Sequence, residues 1–362
     1  MDRNRHQTVS ASLPAVSTAA LTAGYFTKGD ATLGVAPTVP TADWANGLTE
    51  EIYGAIVESG QTPSQTNLKQ LIEAIGKIGR RKNLIINGNF NTWQRGTSQT
   101  AAGYGSADRF KMDRITSTFS LSRQPFTLGQ TDVPNNPVHY ISNVITSVAG
   151  AGSYVRMSQK IEEVRRMAGK TATISFYAKA DVAKNIAVEF VQNFGTGGSP
   201  SAEVTTQGVT KFALTTSWAK YTASVTLASI AGMTLGTNGD DGLIVNFWLN
   251  AGSTYNARTN TIGLLSATVD IAQIQVEEGA TATGFEMRHA NEQIALCQRY
   301  YNTLKAYVNT TPTNVYFQQM RAAPTVAGGG AGFALDDAGL GNSIVCHQTT
   351  GAVQTLTLDA EI

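Results

Sequence analysis

The stretch Val276–Tyr301, VEEGATATGFEMRHANEQIALCQRYY, decides how this chain reads. It starts at the end of an alternating strand, turns through Gly279 and Gly284, and becomes a short helix. On that helix Ala290, Ile294 and Cys297/Gln298 share one side at i, i+4, i+7/8 spacing, while Arg288, Glu292 and Arg299 fall elsewhere. The pattern is that of a β-domain closed by an amphipathic helix, and such a helix needs a surface to cover.

Working back from this point, residues 83–287 carry strand signals almost continuously. Leu84–Phe90, Tyr154–Ile161, Ala172–Ala178, Ile186–Phe194, Lys220–Leu227, Leu243–Asn250 and Thr268–Val276 alternate or run apolar, with Gly, Pro, Asp or Asn between them. Strands at this spacing without intervening helices predict a two-sheet β-sandwich, most simply a jelly roll. Upstream, Thr41-Ala42-Asp43 offers caps ahead of a stripe of Leu48, Ile52, Ile56 and Val57. After a break at residues 60–64, a second stripe carries Leu68, Leu71, Ile72, Ile75 and Ile78. Downstream of the helix, residues 307–362 are again β, with a turn at Gly328–Gly330. The expected architecture is mainly β. An extended N-terminal segment (1–40) precedes a helical hairpin (41–82), the sandwich (83–287), a linking helix (288–306) and a small distal β domain (307–362).

Two groups of residues resemble a known family. EEG-x-x-x-T-x-F-E-x-R followed by E-x-x-L-C-Q-R-Y-Y is a pattern of phage tail-fibre and receptor-binding proteins. Here Glu277, Glu278, Gly279, Thr283, Phe285, Glu286, Arg288, Glu292, Leu296, Cys297, Gln298, Arg299, Tyr300 and Tyr301 occupy it. Near the N-terminus Gly34, Pro37, Thr38, Ala42, Trp44, Asn46, Glu50, Glu51 and Ile52 match a second tail-fibre pattern, which Lys69-Gln70-Leu71 and Ala74-Ile75 continue approximately. NLIINGNF-x-x-WQRG (from Asn83) and GKTATISFYAKA (from Gly169) resemble the carbohydrate-binding-module-like jelly rolls of such fibres. The resemblance implies a virion protein that docks to tail or baseplate proteins through its N-terminal region, is assembled in the host cytoplasm, and meets a host cell-surface glycan.

Bulk properties agree with a binding protein of this kind. The chain has 362 residues with 27 basic against 26 acidic side chains, so no global field points to nucleic acid or an anionic membrane. Only 15 % of residues are charged, which suits polar, uncharged sheet faces and an oligomer that hides surface; the two short helical stripes predict a homotrimer. Residues 1–20 lack the apolar run of a signal peptide, and no run is long enough to insert in a membrane. Cys297 and Cys346 lie in different elements and read as buried thiols.

A sugar site needs aromatic faces that stack on pyranose rings, with amides and carboxylates to hold hydroxyls. Strand alternation places Leu243, Val245, Phe247 and Leu249 in the core, and Asn246, Trp248 and Asn250 opposite; likewise Ile174, Phe176 and Ala178 face in and Tyr177 faces out. Adding Glu189, Gln273 and Gln275 on comparable faces gives a candidate glycan groove of Tyr177, Glu189, Asn246, Trp248, Asn250, Gln273 and Gln275. The same residues would also serve a subunit interface. The polar loops Asn309–Thr311 and His347–Thr350 at the distal end offer another place for receptor contact.

Catalytic signatures are weak, and no catalytic residue, metal site or cofactor is assigned. The pairs Glu162-Glu163, Asp240-Asp241, Glu277-Glu278 and Asp336-Asp337 are adjacent in sequence, so they point apart on a strand or lie in turns. His6, His139, His289 and His347 have no metal-ligand spacing, and no G-x-S-x-G or P-loop occurs. Calcium near Asn89 or Asp270 is conceivable for a jelly roll, though no oxygen-ligand spacing supports it. The alternatives to a receptor binder are a polysaccharide-degrading tail enzyme and a structural baseplate or collar protein.

Overall fold

The computed structural model describes residues 29–34, 36–37, 40–59, 61–78, 83–308, 313–328, 333–337, 343–348 and 352–361. The chain divides into two compact units, Met1–Arg80 and Arg81–Ile362. Most of the expected attachment segment 1–40, and the loop Asn309–Thr311, lie outside the described residues, as do Thr349 and Thr350.

In the first unit, α1 (Ala42–Glu58) begins where Thr41 Oγ1 accepts the Trp44 N–H at 3.3 Å. The helix α2 (Gln70–Ile78) packs back against it, and Ile56 and Ala74 are fully buried. Gln70 ties the connection by donating to the Thr62 carbonyl and accepting from Ser64 N, both at 2.7 Å. Leu68, Ile72 and Ile75 stay 93, 66 and 59 % exposed.

The second unit is built on an antiparallel β-sandwich. One sheet has six strands in the order β1 (Ser98–Gln99), β3 (Thr118–Pro125), β4 (His139–Thr146), β11 (Ala267–Glu278), β6 (Thr171–Ala180), β9 (Ala219–Thr226). The other has five in the order β2 (Lys111–Ile115), β5 (Tyr154–Glu162), β10 (Gly242–Ala251), β7 (Lys184–Asn193), β8 (Val204–Leu214). The chain repeatedly crosses from one sheet to the other, as a jelly roll does. Alternation sets the core as expected. Leu243, Val245, Phe247 and Leu249 of β10 meet Ile174, Phe176 and Ala178 of β6, all buried, with the Phe176 and Phe247 rings edge to face at 5.2 Å.

Leu84–Phe90 reads as a strand running into a turn; the turn is present at 86–89, but the residues before it are irregular and not a strand. Side chains take over backbone hydrogen bonds that a ladder would otherwise make. Asn83 Oδ1 accepts from Ile85 N and Val276 N (2.9 and 3.1 Å), and its Nδ2 donates to the Ile274 carbonyl at 3.0 Å. Gln159 accepts from Ile86 N and donates to its carbonyl (2.7 and 2.8 Å), and Arg288 donates to the carbonyls of Asn83 and Ile85.

The linking helix is also shorter than expected. It spans Ala290–Gln298 (α4), with an N-terminal cap from His289, and residues Tyr301–Val308 already form strand β12. Its buried side is Gln293 and Cys297, whereas Ile294 is 42 % exposed. Beyond it, β12 pairs with β17 (Ala352–Asp359), which also holds β14 (Thr325–Gly328); β13 (Thr313–Tyr316), β16 (Ser343–Gln348) and β15 (Phe333–Asp337) make a second three-stranded sheet. The sandwich grips this C-terminal part through charge. Arg95 pairs with Asp359 and Glu361 (3.1 and 3.2 Å) and lies 3.6 Å from the Tyr301 ring centre. Buried Arg109 pairs with Glu361, donates to the Lys160 carbonyl and stacks on Tyr300 at 3.4 Å. Burial alone would lower the Arg109 pKa, but Glu361 and the flanking tyrosines hold it above its usual value. Cys297 and Cys346 are buried thiols not joined in a disulfide, the former pushed up to about 12 by burial.

Candidate functional site

The outer face of the five-stranded sheet carries a cleft of about 490 Å³, within the ordinary range for a ligand site of roughly 300–1,000 Å³. Its floor follows from alternation. On β5 the outward residues are Tyr154, Arg156, Ser158 and Lys160; on β10 they are Ile244, Asn246 and Trp248; on β7 Val191 and Asn193. Lys111 and Asp113 of β2, Tyr104, Glu203, Tyr255 and Arg258 complete the walls. The helical turn α3 (Asn256–Thr259), entered through a 3-10 turn at Ser253–Tyr255, holds Tyr255 and Arg258 over one end.

Glu189 anchors that end from below. Its fully buried carboxylate accepts from Arg258 Nε and a terminal guanidinium nitrogen (2.7 and 2.8 Å), Trp248 Nε1 (3.0 Å), Asn246 Nδ2 (3.2 Å) and Thr206 N (2.9 Å). With so many donors, this carboxylate positions its neighbours and has no free lone pair to offer a ligand. Arg156 donates to Asp113 at 3.0 Å, and Lys160 Nζ to Asn193 Oδ1 at 2.8 Å and to the Asp240 carbonyl. Burial lowers the Lys160 pKa against the pull of Asp240.

The seven residues expected to share one groove do not. Glu189, Asn246, Trp248 and Asn250 belong to the five-stranded sheet, whereas Tyr177, Gln273 and Gln275 belong to the other. Period-2 reading gives a side within each strand but not the sheet to which that strand is paired. Trp248 is 1 % exposed rather than an open platform: Tyr154 and Tyr255 lie at 5.5 and 5.0 Å, and Arg156 and Arg258 sit over it at 5.1 and 5.2 Å. Asn250 is consumed by Ser117, Ser147 and Leu265 N. Gln273 donates to the Pro134 carbonyl, and Gln275 holds Thr283, Gly284 and Glu286 N. Tyr177 is half-buried on the far sheet. The residues missed are Tyr154, Arg156, Lys160 and Lys111, although the alternation Y-V-R-M-S-Q-K of β5 already sets Tyr154, Arg156, Ser158 and Lys160 on one polar face.

Among the described residues no group of three or more His, Cys, Asp or Glu side chains could hold a metal ion. Asp270 faces Lys179 at 3.7 Å and Asn89 accepts from Asn91 N at 3.4 Å. Of the carboxylate pairs, Glu162 binds Arg299, Asp240 binds Thr196, Asp241 accepts from Val164 N, and Glu277 binds Thr283. Among the described residues no helix is long and apolar enough to cross a membrane.

No family model matches the chain, and no curated protein matches it in sequence. Similar solved structures include a carbohydrate-binding module of family 4, with 17 % identity, 54 % of this chain and 99 % of that one covered, and a TM-score of 0.30. A family 11 carbohydrate-binding module from a Clostridium thermocellum cellulosomal cellulase is 14 % identical over 53 % of this chain and 98 % of its own, with a TM-score of 0.30. The enzymatically active domain of bacteriophage CBA120 tailspike protein 4 is 11 % identical, covers 54 % of this chain and 21 % of its own, and has a TM-score of 0.30.

Proposed function

We propose that the cleft on the five-stranded sheet binds a saccharide, and that the protein is a phage tail-fibre or receptor-binding component that uses it to hold a host-surface glycan without cleaving it. The observation that carries this reading is the cleft itself: half-buried Tyr104, Tyr154 and Tyr255 offer ring faces, while Asn193, Arg156 and Lys160 offer hydrogen bonds to hydroxyls. The non-catalytic reading is supported by Glu189 and Asp113, both already committed to guanidinium partners. The virion role is supported by the tail-fibre-like sequence patterns at 34–52 and 277–301. Several chains per particle would multiply a weak site into firm attachment.

The test is binding of the purified full chain to an array of bacterial-surface oligosaccharides, with release of reducing ends followed in parallel. Binding that falls tenfold or more in Tyr154→Ala and Tyr255→Ala, with the fold retained and no released reducing ends, is the expected result. Cleavage would make the protein an enzyme, and absence of any saccharide binding would overturn the reading. Detection of the chain in purified virions tests its place in the particle.

A further inference from the structure

Building on the saccharide reading of the cleft, we infer that its ligand is an acidic saccharide, whose anionic group sits above Ser158. Strand register places that seat. Lys111 of β2 is opposite Ser158, and Asn246 of β10 is opposite it on the other side. Arg156 and Lys160 precede and follow Ser158 on the same face of β5, each about 7 Å along the strand. Three cations on two adjacent strands thus surround one small hydroxyl side chain, which leaves room above it.

Existing partners leave this ring short of negative charge. The cleft is lined by four cations, these three and Arg258, against two carboxylates, Asp113 and Glu203. Arg258 is matched by buried Glu189. Asp113 is shared between Arg156 at 3.0 Å and Lys111 at 3.9 Å. Lys160 donates to neutral oxygens, Asn193 Oδ1 and the Asp240 carbonyl; the carboxylates of Asp240, Glu203 and Asp241 attract it without a hydrogen bond or close ion pair to it, and an ammonium has three protons to give. Glu203 accepts from Nδ2 of the same Asn193 at 2.6 Å, on the far side from β5. At the floor, Arg156 Nε and Asn246 Oδ1 are buried with no hydrogen-bond partner, one a donor and one an acceptor. A carboxylate, phosphate or sulfate on a sugar ring supplies the missing acceptor charge, and the ring hydroxyls supply groups of both kinds.

The full chain would be screened on capsular and lipopolysaccharide oligosaccharides, with uronate-, sialate-, phosphate- and sulfate-bearing members beside neutral ones. Hits would then be titrated calorimetrically against their methyl-esterified, dephosphorylated or desulfated forms, which also identifies the anionic group. The acidic form should bind at least tenfold tighter than its neutralised form, with the advantage shrinking at about 0.5 M salt. Lys111→Gln, at the more exposed cation, should remove most of that advantage while leaving the neutral form's affinity and the melting temperature unchanged. Lys160→Gln should weaken the acidic form at least tenfold more than the neutral one, and Lys160→Arg should restore the difference. Equal or tighter binding of neutral saccharides, insensitive to Lys160 and Lys111, overturns the acidic preference and leaves the saccharide site standing. No binding by either class removes both.

Discussion

The backbone N–H of Asn83 donates to the carboxylate of Glu286 at 2.6 Å, across a separation of 203 residues. Arg288 closes the same junction by donating to the Asn83 and Ile85 carbonyls, and Asn83's own side chain reaches Ile85, Ile274 and Val276. Two sequence patterns that look like separate signatures, one opening the sandwich and one following its last strand, are therefore two halves of one polar junction. Their role in this chain is to close the sandwich, away from the cleft.

Replacing Asn83 with Ala deletes three buried hydrogen bonds at once and leaves two backbone N–H groups without acceptors. The expected loss is about 3 kcal/mol, read as a shift in the midpoint of denaturant unfolding. Gly88→Ala should be comparably damaging, because a methyl there runs into the Ile274 carbonyl. A loss well under about 1 kcal/mol in both would remove the junction from the account of stability.

Trp248→Ala separates the buried pillar seen here from an open stacking platform. The indole is enclosed by Tyr154, Tyr255, Arg156 and Arg258 and donates to Glu189, so its removal should cost roughly 3–5 kcal/mol of stability, with a lowered melting temperature and a changed near-ultraviolet spectrum. Tyr154→Ala should instead lose saccharide affinity with a much smaller change in melting. Unchanged stability in Trp248→Ala would contradict the enclosure.

Lys184 sets the alkaline response. Its side chain is buried with Nζ on the Leu265 carbonyl at 2.6 Å, and burial lowers its pKa to about 8 despite Asp181. A lysine depressed on folding costs stability while it must stay charged, so between about 8 and its ordinary 10.5 the unfolded chain binds more protons and stability rises with pH. The full rise is on the order of 2–3 kcal/mol. Above about pH 9 the rise should level off, because Cys297, pushed up to about 12 by burial, ionises first in the unfolded chain; above about pH 10 the slope should reverse as Tyr104 and Tyr300, also pushed up to about 12 mainly by burial, do the same. Unfolding free energies from pH 7 to 11 should show this rise and fall, and Lys184→Met should flatten the rise.

The exposed stripe of Leu68, Ile72 and Ile75 leads us to expect three chains per particle by light scattering. Ile72→Glu with Ile75→Glu should give monomers whose sandwich melts normally. A wild-type monomer at micromolar concentration would refute the trimer.

Alternation alone was enough to predict the sandwich and its core from Leu243, Val245, Phe247, Leu249, Ile174 and Phe176, because side chains on successive strand residues must point to opposite faces. The same rule could not say that Trp248 and Tyr177 lie on different sheets, since pairing partners are chosen by contacts distant in sequence. Nor could it show that Leu84–Phe90 forms no regular strand: its apolar run reads as one, and its backbone is instead satisfied by isolated bonds to Val276 and Ile274 of β11, by the neighbouring Asn83, and by Gln159 and Arg288, brought in from distant positions. The sequence by itself determined which residues of β6 and β10 face the sandwich core, where the helical hairpin begins and that two thiols would be buried. The tertiary structure decided where the cleft lies, because it exists only where β2, β5, β10 and β7 lie side by side and the turn from Ser253 into α3 holds Tyr255 and Arg258 over their end.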